Sequence, residues 1–81
     1  MNNQQPVRRK PPFIVELEGM LGTKVFVKLK SGRVVVGTLK AFEPVHMNIV
    51  LVGAVELFEG SEQDHEKIII RGDSIEYIST A

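Results

Sequence analysis

Two short steps of this chain carry side chains able to act together: His46-Met47-Asn48 and Arg71-Gly72-Asp73. Residues two apart on an extended strand point to the same side. His46 and Asn48 are therefore expected to share a face, with Met47 turned the other way, toward a core. Arg71 and Asp73 repeat that spacing around a residue with no side chain. His46 and Arg71 supply flat, polar planes, and the Asn48 amide supplies a donor and an acceptor. Facing each other across one end of a sheet, these groups would stack on a flat heteroaromatic ring and hydrogen-bond its edge. Each step also has a plainer reading. Asn48 suits a turn, where its side chain bonds nearby backbone. Arg71-Gly72-Asp73 suits a hairpin connection, and a single histidine at a strand start is commonly structural.

Other chemistries find little support. There is no cysteine, so a thiol nucleophile and Cys-based zinc are excluded. His65 has no His or Cys neighbour in sequence, so no metal site is expected. Ser31, Ser61, Ser74 and Ser79 lack the strand–turn–helix setting of a nucleophile elbow. The carboxylates scatter, and no glycine-rich phosphate loop is present. The chain reads as a non-enzyme with no cofactor.

The elements that must position these residues follow from periodicity. Residues 12–21 predict a short helix: Pro12 suits its first turn, and Phe13, Ile14, Leu17 and Leu21 fall near one stripe. Gly22 is placed to end it. From Thr23 onward the pattern is β. Val25, Val27 and Leu29 alternate with Lys24, Lys28 and Lys30, which read as a solvated face. Ser31-Gly32 predicts a turn, residues 33–42 a longer strand bent at Gly37, and residues 43–45 a break at Pro44. Residues 46–58 predict a third strand and residues 59–65 a polar loop. Two short strands, 66–71 and 74–79, complete the count at one helix and five strands. Short connections favour an antiparallel meander, and five bent strands favour a small barrel.

Ile68-Ile69-Ile70 adds a further expectation. A half-exposed strand alternates apolar and polar residues, whereas this run is apolar on both faces. It predicts an edge that pairs with another copy of the chain. A head-to-tail joint of that kind closes as a ring or continues as a filament.

Two segments resemble the Sm-like (LSm) family. Residues 22–55 contain Lys30-Ser31-Gly32-Arg33, Val36-Gly37-Thr38-Leu39 and Phe42-Glu43-Pro44-Val45-His46-Met47-Asn48-Ile49-Val50-Leu51, and resemble the first Sm motif. Ile70-Arg71-Gly72-Asp73-Ser74-Ile75 resembles the second. The short loop between them is most similar to archaeal members. The resemblance implies a mostly β fold: an N-terminal α-helix on a five-stranded, strongly bent antiparallel sheet, the SH3-like small barrel of the Sm fold. It implies a homo-oligomeric ring, commonly a heptamer, in which the fourth strand of one subunit pairs with the fifth of the next. It implies binding of uridine-rich single-stranded RNA at the inner rim, one base per subunit, in a scaffold or chaperone of RNA processing, with other RNA-processing proteins as further partners. By motif position, His46 and Arg71 would sandwich the base, Asn48 would bond its edge, Asp73 would support Asn48, and Gly72 would let the backbone approach. The chemistry agrees, because unpaired RNA bases are read by stacking and by bonding their edges. The sequence departs from the family pattern at one place. Glu43 stands three residues before His46 rather than two, as if one residue were inserted. An alternative from another class is a ring-forming protein–protein assembly module with little RNA affinity of its own.

Composition bounds the rest. A chain of 81 residues reads as one domain, expected over residues 12–81 behind a disordered basic tail at 1–11. Such a short chain buries only roughly 60% of its unfolded surface, while 43% of its residues are hydrophobic. Lys and Arg balance Asp and Glu at 10 each, which argues against coating nucleic acid by bulk charge. The charge is unevenly spread, with basic residues in 8–10 and 24–40 and acidic ones in 56–66. No apolar run approaches the roughly 18 residues of a membrane span. No apolar stretch follows Arg8-Arg9-Lys10 to make a signal peptide. A soluble, cytoplasmic protein without membrane contact is expected.

Overall fold

The computed structural model describes residues 9–81. Most of the tail expected at 1–11 therefore lies outside the described residues. Lys10 is described, and its Nζ meets Glu18 Oε2 at 2.8 Å. No helix among the described residues is long and apolar enough to cross a membrane.

Helix α1 (Pro12–Met20) starts on its proline, and the Ile14 and Val15 N–H groups donate to the Pro11 carbonyl. Its apolar stripe is narrower than expected. Leu17 is buried and Met20 packs on the core, while Phe13, Val15 and Leu21 stay exposed. Gly22 ends the helix with φ +80°, a conformation that costs glycine nothing. Its N–H donates to Leu39 O at 2.8 Å, so the same residue joins helix to sheet.

Five antiparallel strands follow: β1 (Lys24–Leu29), β2 (Val34–Glu43), β3 (Asn48–Phe58), β4 (Ser61–Ile70) and β5 (Ile75–Thr80). Their order in the sheet is β4-β3-β2-β1-β5. The core is the inward face of this sheet: Val25 and Val27, Val35 and Leu39, Ile49, Leu51 and Ala54, and Ile70. Two register shifts bend the long hairpin of β2 and β3. Val36 pairs with Val55 and Thr38 with Val52, so β3 carries one extra residue there. Leu39 pairs with Leu51 and Ala41 with Val50, so β2 carries one extra residue in turn. Bulges of this kind increase local twist. The first supplies Gly53 at φ +55° and shifts the inward phase of β3 from Leu51 to Ala54. Gly37 lies opposite that bulge. A Cβ on it would sit 2.8 Å from Ala54 Cβ, so its absence lets the bent strands close.

The polar loop expected at 59–65 is instead a strand. The connection is only Glu59-Gly60, both with positive φ, the geometry of a two-residue hairpin turn. From Ser61 onward β4 pairs residue by residue with β3, Phe58 with Ser61 through Ala54 with His65. This end of the hairpin is solvated on both faces, so it carries no hydrophobic alternation to betray it. Polar side-chain contacts across the hairpin join it instead. Glu56 receives Arg33 Nε at 3.0 Å and His65 Nε2 at 2.9 Å, and Arg33 stacks on the Phe58 ring. His65 therefore has a partner, but a carboxylate across the hairpin.

The Ile68-Ile69-Ile70 run splits by face. Ile70 is in the core and Ile68 packs against it, while Ile69 is 68% exposed. Strands β4 and β5 end the sheet and are not paired with one another. Each presents an exposed apolar side chain, Ile69 on β4 and Tyr77 on β5.

Candidate nucleic-acid interface

The hairpin of β2 and β3 turns at its inner end through residues 44–47, with Glu43 paired to Asn48. His46 therefore belongs to the turn, not to a strand, and the same-face argument from strand alternation does not hold. Met47 takes φ +57°, a conformation that costs a residue with a Cβ. That local reversal, rather than alternation, brings His46 and Asn48 to one side. Met47 is half-buried and lines the groove under α1 together with Leu17, Met20 and Ile75.

Across from this turn, β4 ends at Ile70, whose partner is Ile49. One step further on, Arg71 comes level with Asn48. The chain then makes a short 3-10 turn, Gly72–Ser74, closed by the Ser74 N–H and Oγ donating to Arg71 O. One hydrogen bond locks the two motifs together. The Gly72 N–H donates to Asn48 Oδ1 at 2.8 Å. Because an N–H needs an acceptor, this bond fixes which way round the amide sits. The Nδ2 donor is left without a protein partner among the described residues and faces outward.

Gly72 is required by space rather than by its dihedral. A Cβ there would collide with the carbonyl oxygen of His46 and lie 2.8 Å from the Met47 carbonyl. The two turns are packed backbone to backbone.

The support expected from Asp73 is different in the structure. Asp73 Oδ2 accepts from Arg71 Nη2 at 3.4 Å, and both side chains are largely exposed. The Gly72 amide supports Asn48 instead, since the 3-10 turn carries the Asp73 carboxylate out to solvent beside Arg71. An exposed pair of this kind contributes only about 0–1 kcal/mol, so Arg71 is free to swing onto a ligand.

His46, Asn48, Arg71, Gly72 and Asp73 together line one open concavity of about 580 Å³. Ile69 is its sixth wall, and sequence reading did not place it there. The available signal was parity: Ile69 stands two before Arg71, whose backbone is still extended just past the end of β4, hence on the same face.

Glu43 is the other residue whose part sequence reading left undefined. Its carboxylate accepts from the N–H groups of Val45 at 2.9 Å, His46 at 3.1 Å and Asn48 at 3.4 Å. Its Oε1 lies 3.7 Å from His46 Nδ1. The His46 N–H, and with it those of Asn48 and Val45 and the nearby imidazole, lowers the carboxyl pKa from its ordinary value, against a smaller upward push from desolvation. Among the described residues no cluster of His, Asp and Glu is arranged to hold a metal ion.

The arrangement offers two exposed planes, one oriented amide donor and one aliphatic wall. It can take a flat ring bearing a carbonyl acceptor on its edge.

Comparison with known proteins bears on the fold and the family. The LSM-domain family profile matches residues 15–80. An snRNP Sm-like protein of Methanosarcina barkeri is 42% identical over 64 residues, covering 78% of this chain and 88% of that protein. A heptameric archaeal Sm protein superposes with a TM-score of 0.75 at 28% identity, covering 83% of this chain and 97% of that one. A Pyrococcus abyssii Sm protein in complex with a uridine heptamer gives a TM-score of 0.77 at 33% identity, covering 89% of this chain and all of that one (100%).

Proposed function

The chain belongs to the LSM-domain family, and from that premise we propose that it assembles into a homo-oligomeric ring of seven copies that binds uridine-rich single-stranded RNA. The observation that carries this reading is the convergence of His46, Asn48, Arg71, Gly72 and Asp73 on one concavity, with the Asn48 amide held in one orientation. In this reading residues 12–81 act as one unit, and the ring is a cytoplasmic scaffold or chaperone in RNA processing. It is a non-enzymatic member of its family.

His46 and Arg71 stack on opposite faces of a base, and Asn48 Nδ2 donates to a carbonyl oxygen of uracil. Stacking is worth about 1–3 kcal/mol per base and tolerates any base, so uracil preference rests on Asn48 and on the size of the pocket. Repetition around a ring joins weak sites by effective concentration. That accounts for RNA binding by a chain of zero net charge.

Assembly is supported by the two unpaired edges. An open edge strand is a template for pairing, and exposed Ile69 and Tyr77 flank the two edges here. Light scattering of the native protein should give a mass seven times that of one chain. Ile69→Glu should fall to smaller species, because a carboxylate would be buried in the joint. An unchanged mass would remove Ile69 from the interface and leave it as a wall of the concavity.

The deciding experiment is fluorescence anisotropy with labelled oligo(U) and oligo(A) of equal length at matched moderate salt. We expect oligo(U) to bind at least about tenfold more tightly, the equivalent of 1.4 kcal/mol. Equal, weak binding that salt abolishes would reduce the interaction to phosphate attraction. No binding to either would favour the protein–protein assembly module.

A further inference from the structure

The four-residue turn at 44–47 and the acidic residue that precedes it belong together. The turn at 44–47 has few ways to satisfy its backbone. Pro44 has no N–H, and the N–H groups of Val45, His46 and Asn48 converge on a single acceptor, the Glu43 carboxylate. The turn also carries a left-handed Met47, which needs surrounding structure to hold it. The first outward side chain, Val45, is 80% exposed and contributes no packing to do so. The burden falls on Glu43.

We propose that Glu43 is the positioning residue of the base pocket, its side-chain length matched to the four-residue turn that Val45 completes. This rests on the base-binding reading above, because it assigns Glu43 a part in presenting His46 and Asn48. Glu43 itself does not line the concavity formed by His46, Asn48, Ile69 and the Arg71-Gly72-Asp73 turn. Three N–H donors occupy its carboxylate, so it is a poor partner for RNA and a good anchor for the turn. With the turn anchored, His46 and Asn48 are set before the ligand arrives, and binding loses less to ordering.

The length argument is geometric. Aspartate would withdraw the carboxylate by one C–C bond, roughly 1.5 Å. Contacts now at 2.9–3.4 Å would then exceed hydrogen-bonding reach. Removing Val45 would shorten the turn by one residue and bring the remaining N–H groups back toward the shorter side chain. The two changes should therefore compensate.

Charge adds an independent readout. The titratable group facing Glu43 is the His46 imidazole, from the same turn. Beside it, β2, β3 and β4 present Ala41, Phe42, Asn48, Ile49, Val50 and Ile69, none of which titrates. The backbone donors bind the ionised carboxylate and lower its pKa. The anchoring contribution is thus fully present above the ordinary value of 4.5 and is lost as pH falls through the lowered one.

The test compares Glu43→Asp, deletion of Val45, the two combined, and Glu43→Gln. Oligo(U) anisotropy is read alongside hydrogen exchange at the Val45, His46 and Asn48 amides. Each single change should weaken oligo(U) binding about tenfold, in line with losing charge-assisted hydrogen bonds, and should speed exchange at those amides. The combination should return affinity to within about threefold of the native protein, a coupling that independent sites do not show. Glu43→Gln should differ from the native protein in amide exchange at neutral pH, and that difference should close below the carboxyl's lowered pKa. Native-like binding by Glu43→Asp, or a combined variant as weak as the product of the singles, would overturn the proposal. If the native protein binds no oligo(U), the base-binding reading fails by itself. The exchange data would still decide whether Glu43 anchors the turn.

Discussion

Replacing Gly72 with alanine should cost about 2–4 kcal/mol of stability, in the range of severe overpacking, and should weaken oligo(U) binding by about a hundredfold or more. The added Cβ has nowhere to go. It meets the His46 carbonyl oxygen and the Met47 carbonyl group, which are backbone and cannot rotate away as a side chain would. Either the 3-10 turn or the His46 turn must move. Any such movement stretches the Gly72–Asn48 hydrogen bond, so stability and recognition should fail together. Gly60→Ala is the informative contrast. Gly60 has φ +82° but open space around it, so alanine there should cost about 1–2 kcal/mol of backbone strain and leave RNA affinity unchanged. Urea denaturation and oligo(U) anisotropy on both variants separate crowding from dihedral strain. A Gly72→Ala protein with native affinity would show that the backbone contact between the two turns has no part in forming the pocket.

The second large effect is expected at Asn48, where two functions share one amide. Oδ1 accepts from the Gly72 N–H, a structural duty, and Nδ2 is free for a ligand. Asn48→Ala removes both. It leaves a part-buried N–H without its partner, worth about 1–3 kcal/mol, and strips the pocket of its edge contact. Asn48→Asp separates them. The carboxylate still accepts from Gly72, so stability should stay within about 1 kcal/mol of native. It has no donor for a uracil carbonyl and adds negative charge near phosphates, so oligo(U) binding should drop by about a hundredfold. The measurement is again paired: denaturation for the structural bond, anisotropy with oligo(U) for the reading bond. Native oligo(U) affinity in Asn48→Asp would remove Asn48 from base recognition while leaving its bond to Gly72 intact.

Much of this molecule was legible before its structure. The helix expected at 12–21 is found at Pro12–Met20, and the second and third strands lie within a few residues of their expected bounds. Local chemistry dictates these features: a proline at a helix start, a glycine at its end, alternation along a strand. The five residues singled out by type and spacing do come together. The outer half of β4 was not legible, because a hairpin that projects beyond the core has no buried face to impress a pattern on its sequence. Glu59-Gly60 was the available sign of the turn, but polar residues on both sides read equally well as loop.

Sequence by itself determined the helix, the bent antiparallel sheet and the set of polar residues gathered at one end of it, because each depends on periodicity or on the intrinsic limits of proline and glycine. Tertiary structure alone decided how that set is held. Asn48 is oriented by the Gly72 amide rather than by Asp73, His46 reaches the pocket through a left-handed Met47 rather than along a strand, and Glu43 ties the turn from below. Those are bonds from backbone N–H groups to side-chain oxygens up to 24 residues away, and no residue type announces them. They arise only when two turns are pressed together closely enough that one glycine's missing side chain sets the distance.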